Sequence, residues 1–169
     1  MRIILICGAP GCGKSTFANN LAKEFSIQNV ISTDIIRAIM RSCTSKEQFP
    51  HLHSSTTSEE YDKTNSNGFV EQSKEMRVGI QSVIDRAVKE NADLIIEGIH
   101  LIPGYFNIPK EIDFRHILII VQDEEKHKKQ ITGQGERRAK HKLEKFDKLR
   151  TFQDYLLNVA NKNIEIMKV

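Results

Sequence analysis

Short apolar runs alternate with segments of helical periodicity along the chain, and this alternation predicts the fold. Continuous apolar runs predict buried strands over 2–7, 29–32, 92–98 and 115–121, with a fifth strand over 164–169. Helices are predicted between and after the first strands, over 14–25, 33–43, 69–90, 124–132 and 139–161. Apolar strands that alternate with helices are typical of a parallel sheet covered on both faces. The sequence therefore predicts an α/β fold of three layers with about five parallel strands.

Two polar segments interrupt this alternation. Residues 44–68 contain Pro50 and lack a long apolar period, which predicts either a mobile insertion or a short helix between loops. Residues 132–140 (TGQGERRAK) are predicted to form a flexible basic loop. Because no repeat or domain linker is evident, we expect a single domain over residues 1–169.

Composition narrows the class of protein only slightly. The net charge of +3 suits small anionic ligands but is too low to indicate nucleic-acid binding by itself. The three cysteines, Cys7, Cys12 and Cys43, have no metal-ligand spacing, and their odd number favours a reduced, cytoplasmic setting. The apolar run 2–7 is too short for a membrane span or the core of a signal peptide, so no membrane association is expected. None of these features indicates an oligomeric state.

Residues 8–15 (GAPGCGKS) match the phosphate-binding pattern G-x-x-x-x-G-K-[ST]. The match follows a predicted strand and opens a predicted helix, which is the context that the pattern requires. The glycines allow backbone N–H groups to converge on phosphate oxygens, while Lys14 reaches the β and γ phosphates and Ser15 binds Mg²⁺. We therefore expect ATP and Mg²⁺ as cofactors, with nucleotide contacts from Gly8, Ala9, Pro10, Gly11, Cys12, Gly13, Lys14, Ser15 and Thr16.

Other classes of phosphate-loop protein fit less well. A GTPase reads guanine with an Asn-Lys-x-Asp motif, and residues 161–164 (NKNI) have Ile164 where the Asp is required. A large mechanical ATPase needs more chain than 169 residues. A small-molecule kinase is the class that these observations favour.

The segment 32–41 (STDIIRAIMR) is predicted to carry the acceptor side of the site. At 100° per residue, Asp34, Arg37 and Arg41 lie within about 60° of each other on one face of a helix. Asp34 is expected to orient or deprotonate an acceptor hydroxyl, and Arg37 and Arg41 to bind its anionic groups. The alternative is an ordinary solvated face with an ion pair. The opposite face is predicted to be core, with Ile35, Ile36, Ile39, Met40 and Cys43.

Two further candidates follow the third predicted strand. Glu97 ends this apolar run, where a carboxylate can hold Mg²⁺ through water or position the acceptor. His100 lies in the loop that follows and is predicted to contact the substrate. The alternatives are a strand-end acid that faces solvent and a histidine with a structural role.

A closing lid is predicted over residues 132–141. Glycines flank the paired arginines Arg137 and Arg138, and lid closure would bring one of them onto the transferred phosphoryl group. The sequence does not decide which arginine acts. Most of the other charges in residues 124–150 are expected to form a solvated helix face.

The chain resembles the P-loop kinase domain of the 2-phosphoglycerate kinase family. The resemblance rests on residues 8–16 (GAPGCGKST), 30–41 (VISTDIIRAIMR), 94–104 (LIIEGIHLIPG) and 146–156 (FDKLRTFQDYL). It implies a fold like that of nucleoside-monophosphate kinases and ATP-dependent phosphorylation of 2-phosphoglycerate to 2,3-bisphosphoglycerate. The implied partner is a small phosphorylated acid. Residues 44–68 depart from the family in their richness in Ser, Thr and Asn.

Two alternatives remain open from the sequence. A polynucleotide-end or nucleotide kinase would use the same Asp-x-x-Arg helix after a phosphate loop, and basic residues in 126–150 would then meet a nucleic-acid backbone. A nucleotide-binding regulatory module without turnover belongs to another class. The presence of both Lys14 and Asp34 argues against that module.

Overall fold

The computed structural model describes residues 1–55, 67–133 and 136–169. Within these ranges, five parallel strands form one sheet in the order β2-β3-β1-β4-β5. The strands are β1 (Arg2–Cys7), β2 (Asn29–Ser32), β3 (Leu94–Glu97), β4 (Asp113–Ile120) and β5 (Glu165–Lys168). The helices of the same ranges are α1 (Lys14–Phe25), α2 (Thr33–Cys43), α3 (Pro50–His53), α4 (Asn67–Glu90), α5 (Glu124–Thr132), α6 (Glu136–Leu143) and α7 (Phe146–Val159).

The apolar runs predicted to be strands are buried because helices cover both faces of the sheet. Along β1, Ile3 and Leu5 face a core formed with α4 and α7, whereas Ile4 and Ile6 face a second core formed with α1. Alternate residues of a strand point to opposite faces, so a strand covered on both sides has to be apolar throughout. The predicted α/β fold with a five-stranded parallel sheet is therefore confirmed.

Two predictions about helices are wrong in part. Residues 136–140 were expected in a flexible loop, but α6 begins at Glu136, since Glu, Arg, Ala and Lys are strong helix formers. The helix predicted over 139–161 is divided, because α6 ends at Leu143 and α7 begins at Phe146. Residues 44–55 contain the short helix α3, and residues 56–66 of the predicted insertion lie outside the described part.

The predicted core face of α2 is only half correct. Ile36 is buried and Met40 packs against the core, but Ile35 is 56% exposed, Ile39 is 60% exposed and Cys43 is also exposed. The apolar residues span a wider arc of the helix than α4 covers. None of the helices within residues 1–55, 67–133 and 136–169 has both the length and the apolarity needed to cross a membrane.

Sheet register brings three chain segments to one edge of the sheet. Glu97 at the end of β3 pairs with Ile6 of β1 on one side and with Ser32 of β2 on the other. The loop after β1, the first turn of α2 and the loop after β3 consequently start next to each other. In open parallel sheets, ligands bind at the carboxyl ends of the strands.

Candidate active site

The phosphate loop (residues 8–15) leaves β1 and enters α1 in a conformation that depends on glycine. Gly11 and Gly13 both have φ of 91°, a region that residues with a Cβ rarely adopt. The Lys14 ammonium donates a hydrogen bond to the carbonyl of Ala9 at 2.9 Å, so the side chain lies back over its own loop. The loop has the form in which backbone N–H groups bind an anion.

A histidine that sequence reasoning missed supports this loop from α5. His127 is buried, and its Nε2 donates a hydrogen bond to the carbonyl of Pro10 at 2.9 Å. Burial lowers the pKa of His127, which keeps the ring neutral near pH 7. No local signal identified this residue, because its partner lies 117 positions away in the sequence.

A cavity of about 350 Å³ opens beside the phosphate loop. Nine predicted site residues line it together: Pro10, Gly11, Gly13, Lys14, Ser15, Thr16, Asp34, Arg37 and Glu97. The lining also contains Ser55 of the polar segment 44–68, and Lys142. The sequence did not single out Lys142, because it lies within the charged residues of 124–150 that we expected to form a solvated helix face. We refer to this space as the site cavity.

The two predicted magnesium ligands touch each other at the floor of the site cavity. The Ser15 hydroxyl donates a hydrogen bond to a Glu97 carboxylate oxygen at 3.1 Å. Among the described residues, no three His, Cys, Asp or Glu side chains come close enough together to hold a metal ion. A hydroxyl and one carboxylate suit Mg²⁺, which keeps several waters and binds substrate phosphates rather than an all-protein cage.

Asp34 lies in the first turn of α2 at the wall of the site cavity, with its side chain exposed. Ser32 caps this helix, since its hydroxyl accepts a hydrogen bond from the backbone N–H of Ile35 at 3.2 Å. The cap fixes the direction in which Asp34 leaves the helix. An exposed carboxylate at this position can accept a proton from a bound hydroxyl group.

The two arginines of α2 differ in position. Arg37 lines the site cavity, and its guanidinium donates hydrogen bonds to the carbonyls of Leu52, at 3.1 Å, and Ser54. Arg41 is exposed and is absent from the lining of the site cavity. One turn of helix places Arg41 outside this lining, so its predicted contact with the acceptor stays a prediction. Arg37 holds the segment 50–55, which we call the acceptor wall.

His100 does not contact the site cavity, contrary to expectation. Its side chain is 0% exposed. Nδ1 lies 3.0 Å from the hydroxyl of Thr33, and Nε2 lies 2.9 Å from the amide oxygen of Gln72. Burial, with smaller contributions from Arg37 and Lys14, lowers the pKa of His100 to about 3. The ring is thus neutral and engaged at both nitrogens, so it cannot bind a substrate in this conformation.

The predicted lid, residues 132–141, overlaps α6 but ends before its last two residues. Arg137 and Arg138 lie in this helix, and their side chains are outside the described part of the structure. Thus only Lys142, one turn further along α6, is seen to reach the site cavity. Its position places a basic side chain from the last turn of this helix in the lining that also contains Asp34.

A second cavity of about 530 Å³ lies on the other side of the phosphate loop. It shares Gly11, Gly13 and Thr16 with the site cavity. Its outer lining comes from α5 and the end of the chain, with Lys129, Gln130, Gly133, Met167 and Val169. The two cavities therefore adjoin the same end of the phosphate loop and the first turn of α1.

A central strand, a phosphate loop and a helix in a parallel sheet of order β2-β3-β1-β4-β5 define a P-loop protein of the small-kinase fold. The chain belongs to the KTI12 family, whose sequence model, described as chromatin associated protein KTI12, matches residues 1–155. The matched range contains the phosphate loop, α2, Glu97 and α6.

Curated relatives named 2-phosphoglycerate kinase also match, in agreement with the resemblance drawn from the motifs. The protein from Pyrococcus furiosus is 35% identical over 98% of this chain and 60% of its own length. The protein from Thermococcus kodakarensis is 34% identical over 95% of this chain and 58% of its own length. The chain therefore spans about 60% of the length of these curated relatives.

Solved structures support the fold. Shikimate kinase from Acinetobacter baumannii, solved in complex with shikimate, aligns with a TM-score of 0.53 over 100% of this chain and 84% of its own. The two sequences are 15% identical, so the similarity concerns the fold alone.

Proposed function

We propose that this chain is an ATP-dependent kinase that phosphorylates the free hydroxyl of a phosphorylated acid, with 2-phosphoglycerate as the substrate and 2,3-bisphosphoglycerate as the product. The observation that carries the proposal is that Lys14 and Ser15 line the same cavity as Asp34 and Arg37. The curated archaeal relatives named 2-phosphoglycerate kinase support the choice of acceptor.

On the donor side, the phosphate loop binds the triphosphate through its backbone N–H groups and the N-terminus of α1. Lys14 exchanges its hydrogen bond to Ala9 for phosphate oxygens and stabilises negative charge on the transferred group. Ser15 and Glu97 would hold Mg²⁺, which neutralises charge on the β and γ phosphates.

The second cavity is proposed to hold the nucleoside. It adjoins the phosphate loop at Gly13 and Thr16, on the side away from Asp34, and the apolar side chains Met167 and Val169 line it. These side chains can pack against a planar base, because a base has two large apolar faces. Triphosphate and nucleoside would then lie on either side of one loop.

On the acceptor side, Asp34 is proposed to accept the proton of the attacking hydroxyl as the new O–P bond forms and ADP leaves. The phosphate and carboxylate of the acid require cations, and Arg37 and Lys142 line the same cavity. Arg137 or Arg138 is proposed to join them from α6 and stabilise the transferred phosphoryl group.

A panel of acceptors tests this function. The purified chain is incubated with ATP and Mg²⁺ and with 2-phosphoglycerate, 3-phosphoglycerate, AMP or a 5′-hydroxyl oligonucleotide, and products are identified by mass spectrometry. We expect a doubly phosphorylated acid from 2-phosphoglycerate. Transfer to AMP or the oligonucleotide instead would refute the acceptor while retaining the kinase class, and ATP binding without transfer to any acceptor would indicate a regulatory module.

An Asp34→Asn variant separates binding from chemistry. It is expected to bind ATP as the parent does and to lose about 10²- to 10⁴-fold in kcat, since it removes the proton acceptor. Asp154→Asn, which changes an exposed carboxylate of α7, serves as the matched control and is expected to leave kcat unchanged.

A further inference from the structure

A series of four hydrogen bonds, two of them fully buried, links the acceptor wall to the first turn of α2. Gln72 of α4 donates through its amide nitrogen to the carbonyls of His51, at 2.6 Å, and Ser54, at 3.0 Å. The amide oxygen of Gln72 lies 2.9 Å from His100 Nε2, and His100 Nδ1 lies 3.0 Å from the Thr33 hydroxyl. Thr33 immediately precedes Asp34.

In this series of hydrogen bonds, the donor and the acceptor of each bond are determined. Both carbonyls of the acceptor wall can only accept, so the Gln72 amide nitrogen faces them and its oxygen faces His100. His100 must then donate from Nε2, which leaves Nδ1 as an acceptor for the Thr33 hydroxyl. A neutral imidazole is the species that donates at one nitrogen and accepts at the other.

The side chain of Thr33 and the backbone of the acceptor wall have little room to move. Gly98 has φ of 156°, and a Cβ at this position would collide with the Thr33 side chain. On the other side, Glu75 of α4 accepts hydrogen bonds from the backbone N–H groups of His51, at 3.4 Å, and Leu52, at 2.5 Å. The acceptor wall and the first turn of α2 are thus each fixed locally. Arg37 connects α2 directly to the wall, and His100, through Gln72 and Thr33, forms a second connection at the residue before Asp34.

We propose that His100 is a positioning residue that sets the distance between the acceptor wall and Asp34, through its hydrogen bonds to Gln72 and Thr33. The proposal rests on the proposed function, because that function makes the acceptor wall and Asp34 two sides of one acceptor subsite. The loss of His100 then affects the acceptor half of the reaction. The phosphate loop keeps its own support from His127.

Three replacements of His100 test the role in the full chain. Asparagine keeps a polar group near the position of Nδ1, glutamine keeps one near that of Nε2, and leucine keeps neither. We expect His100→Leu to lower kcat/KM for 2-phosphoglycerate about 10- to 100-fold, since small displacements of reacting groups are that costly. His100→Asn and His100→Gln should each recover part of the loss, and the KM for ATP should stay within about twofold of the parent.

His116 supplies a matched control. It is also buried, with burial lowering its pKa to about 4, and its Nε2 donates to the carbonyl of Leu101 at 3.1 Å. Like His100→Leu, His116→Leu removes a buried, neutral, hydrogen-bonded imidazole, but one that does not touch Thr33 or Gln72. We expect it to lower the free energy of unfolding while leaving the kinetics unchanged. Equal losses of kcat/KM in the two variants would overturn the proposal.

Amide hydrogen exchange gives a readout that does not depend on the substrate. His100→Leu should accelerate exchange at His51, Leu52 and Ser54 and in the first turn of α2, and His116→Leu should not. If the parent does not phosphorylate 2-phosphoglycerate, the proposed function fails, and exchange alone decides the positioning role. Unchanged protection of these amides in His100→Leu would overturn it.

Discussion

The hydroxyl of Ser15 donates a hydrogen bond to the carboxylate of Glu97 at 3.1 Å, across 82 residues of sequence. Ser15 is the last residue of the phosphate loop and lies in the first turn of α1, and Glu97 ends β3, the strand that pairs with β1. The contact brings together a hydroxyl and a carboxylate that each suit Mg²⁺. It therefore joins the donor half of the site to the edge of the sheet where the acceptor half begins.

Replacement of either residue is predicted to weaken the response to magnesium. In Ser15→Ala and Glu97→Gln, the Mg²⁺ concentration for half-maximal activity should rise about tenfold, because a ligand or its orienting partner is lost. The double variant should lose less than the product of the two effects, since both residues serve one site. Magnesium titrations of initial rate measure this. A strictly multiplicative loss would mean that the two residues act independently.

The two arginines of α2 are predicted to differ in effect. Arg37→Lys keeps the charge but cannot reproduce the fork that holds the carbonyls of Leu52 and Ser54, so KM for the acceptor should rise about tenfold. Arg41→Lys alters an exposed side chain outside the cavity lining and should leave KM within about twofold. Steady-state kinetics with the acceptor varied provide the comparison, and a larger effect at Arg41 would contradict the assignment.

Two glycines with positive φ, Gly104 and Gly98, are predicted to respond differently to alanine. Gly104 has φ of 83° and open space around a Cβ, so Gly104→Ala should cost only the backbone strain, about 1–2 kcal/mol. In Gly98→Ala the new methyl group would also collide with Thr33, which should at least double the loss. Urea unfolding gives both values. Equal destabilisation would show that the chain relaxes around Thr33 without cost.

Stability is predicted to fall as the pH drops from 7 to 5. His100 and His116 have pKa values lowered to about 3 and about 4 in the folded chain, so below pH 6.5 only the unfolded chain binds protons at these rings. The loss of folding free energy should reach about 4 kcal/mol over these two pH units for both rings. His116→Gln, which keeps a donor without the titration, should remove about half of this dependence. Urea unfolding at several pH values measures it, and an unchanged slope would contradict the account.

The sequence predicted the donor half of the site and the sheet because their signals are local. The strand, glycine loop and lysine of residues 2–15 are contiguous, and continuous apolar runs identify strands that are covered on both faces. Asp34 and Arg37 were found for the same reason, since helical periodicity places them on one face of α2.

The features that the sequence did not predict depend on contacts between distant residues. His100 was expected in the site, but its partner Gln72 lies 28 residues away on α4 and holds it in the core. The exposure of Ile35 and Ile39 depends on how much of α2 is covered by α4. The spacing of apolar residues within α2 does not indicate this. The break between α6 and α7 at residues 144–145 falls within a run of good helix formers, so propensity alone could not locate it.

Direct observation of the product tests the central claim most sharply. The chain is mixed with ATP, Mg²⁺ and 2-phosphoglycerate, and the reaction is followed by ³¹P NMR. The account predicts a second phosphomonoester resonance of the acid that grows in step with ADP, and that grows at least about 100-fold more slowly with Asp34→Asn. ADP formed together with free phosphate, or a new phosphomonoester at the same rate in Asp34→Asn, would contradict it.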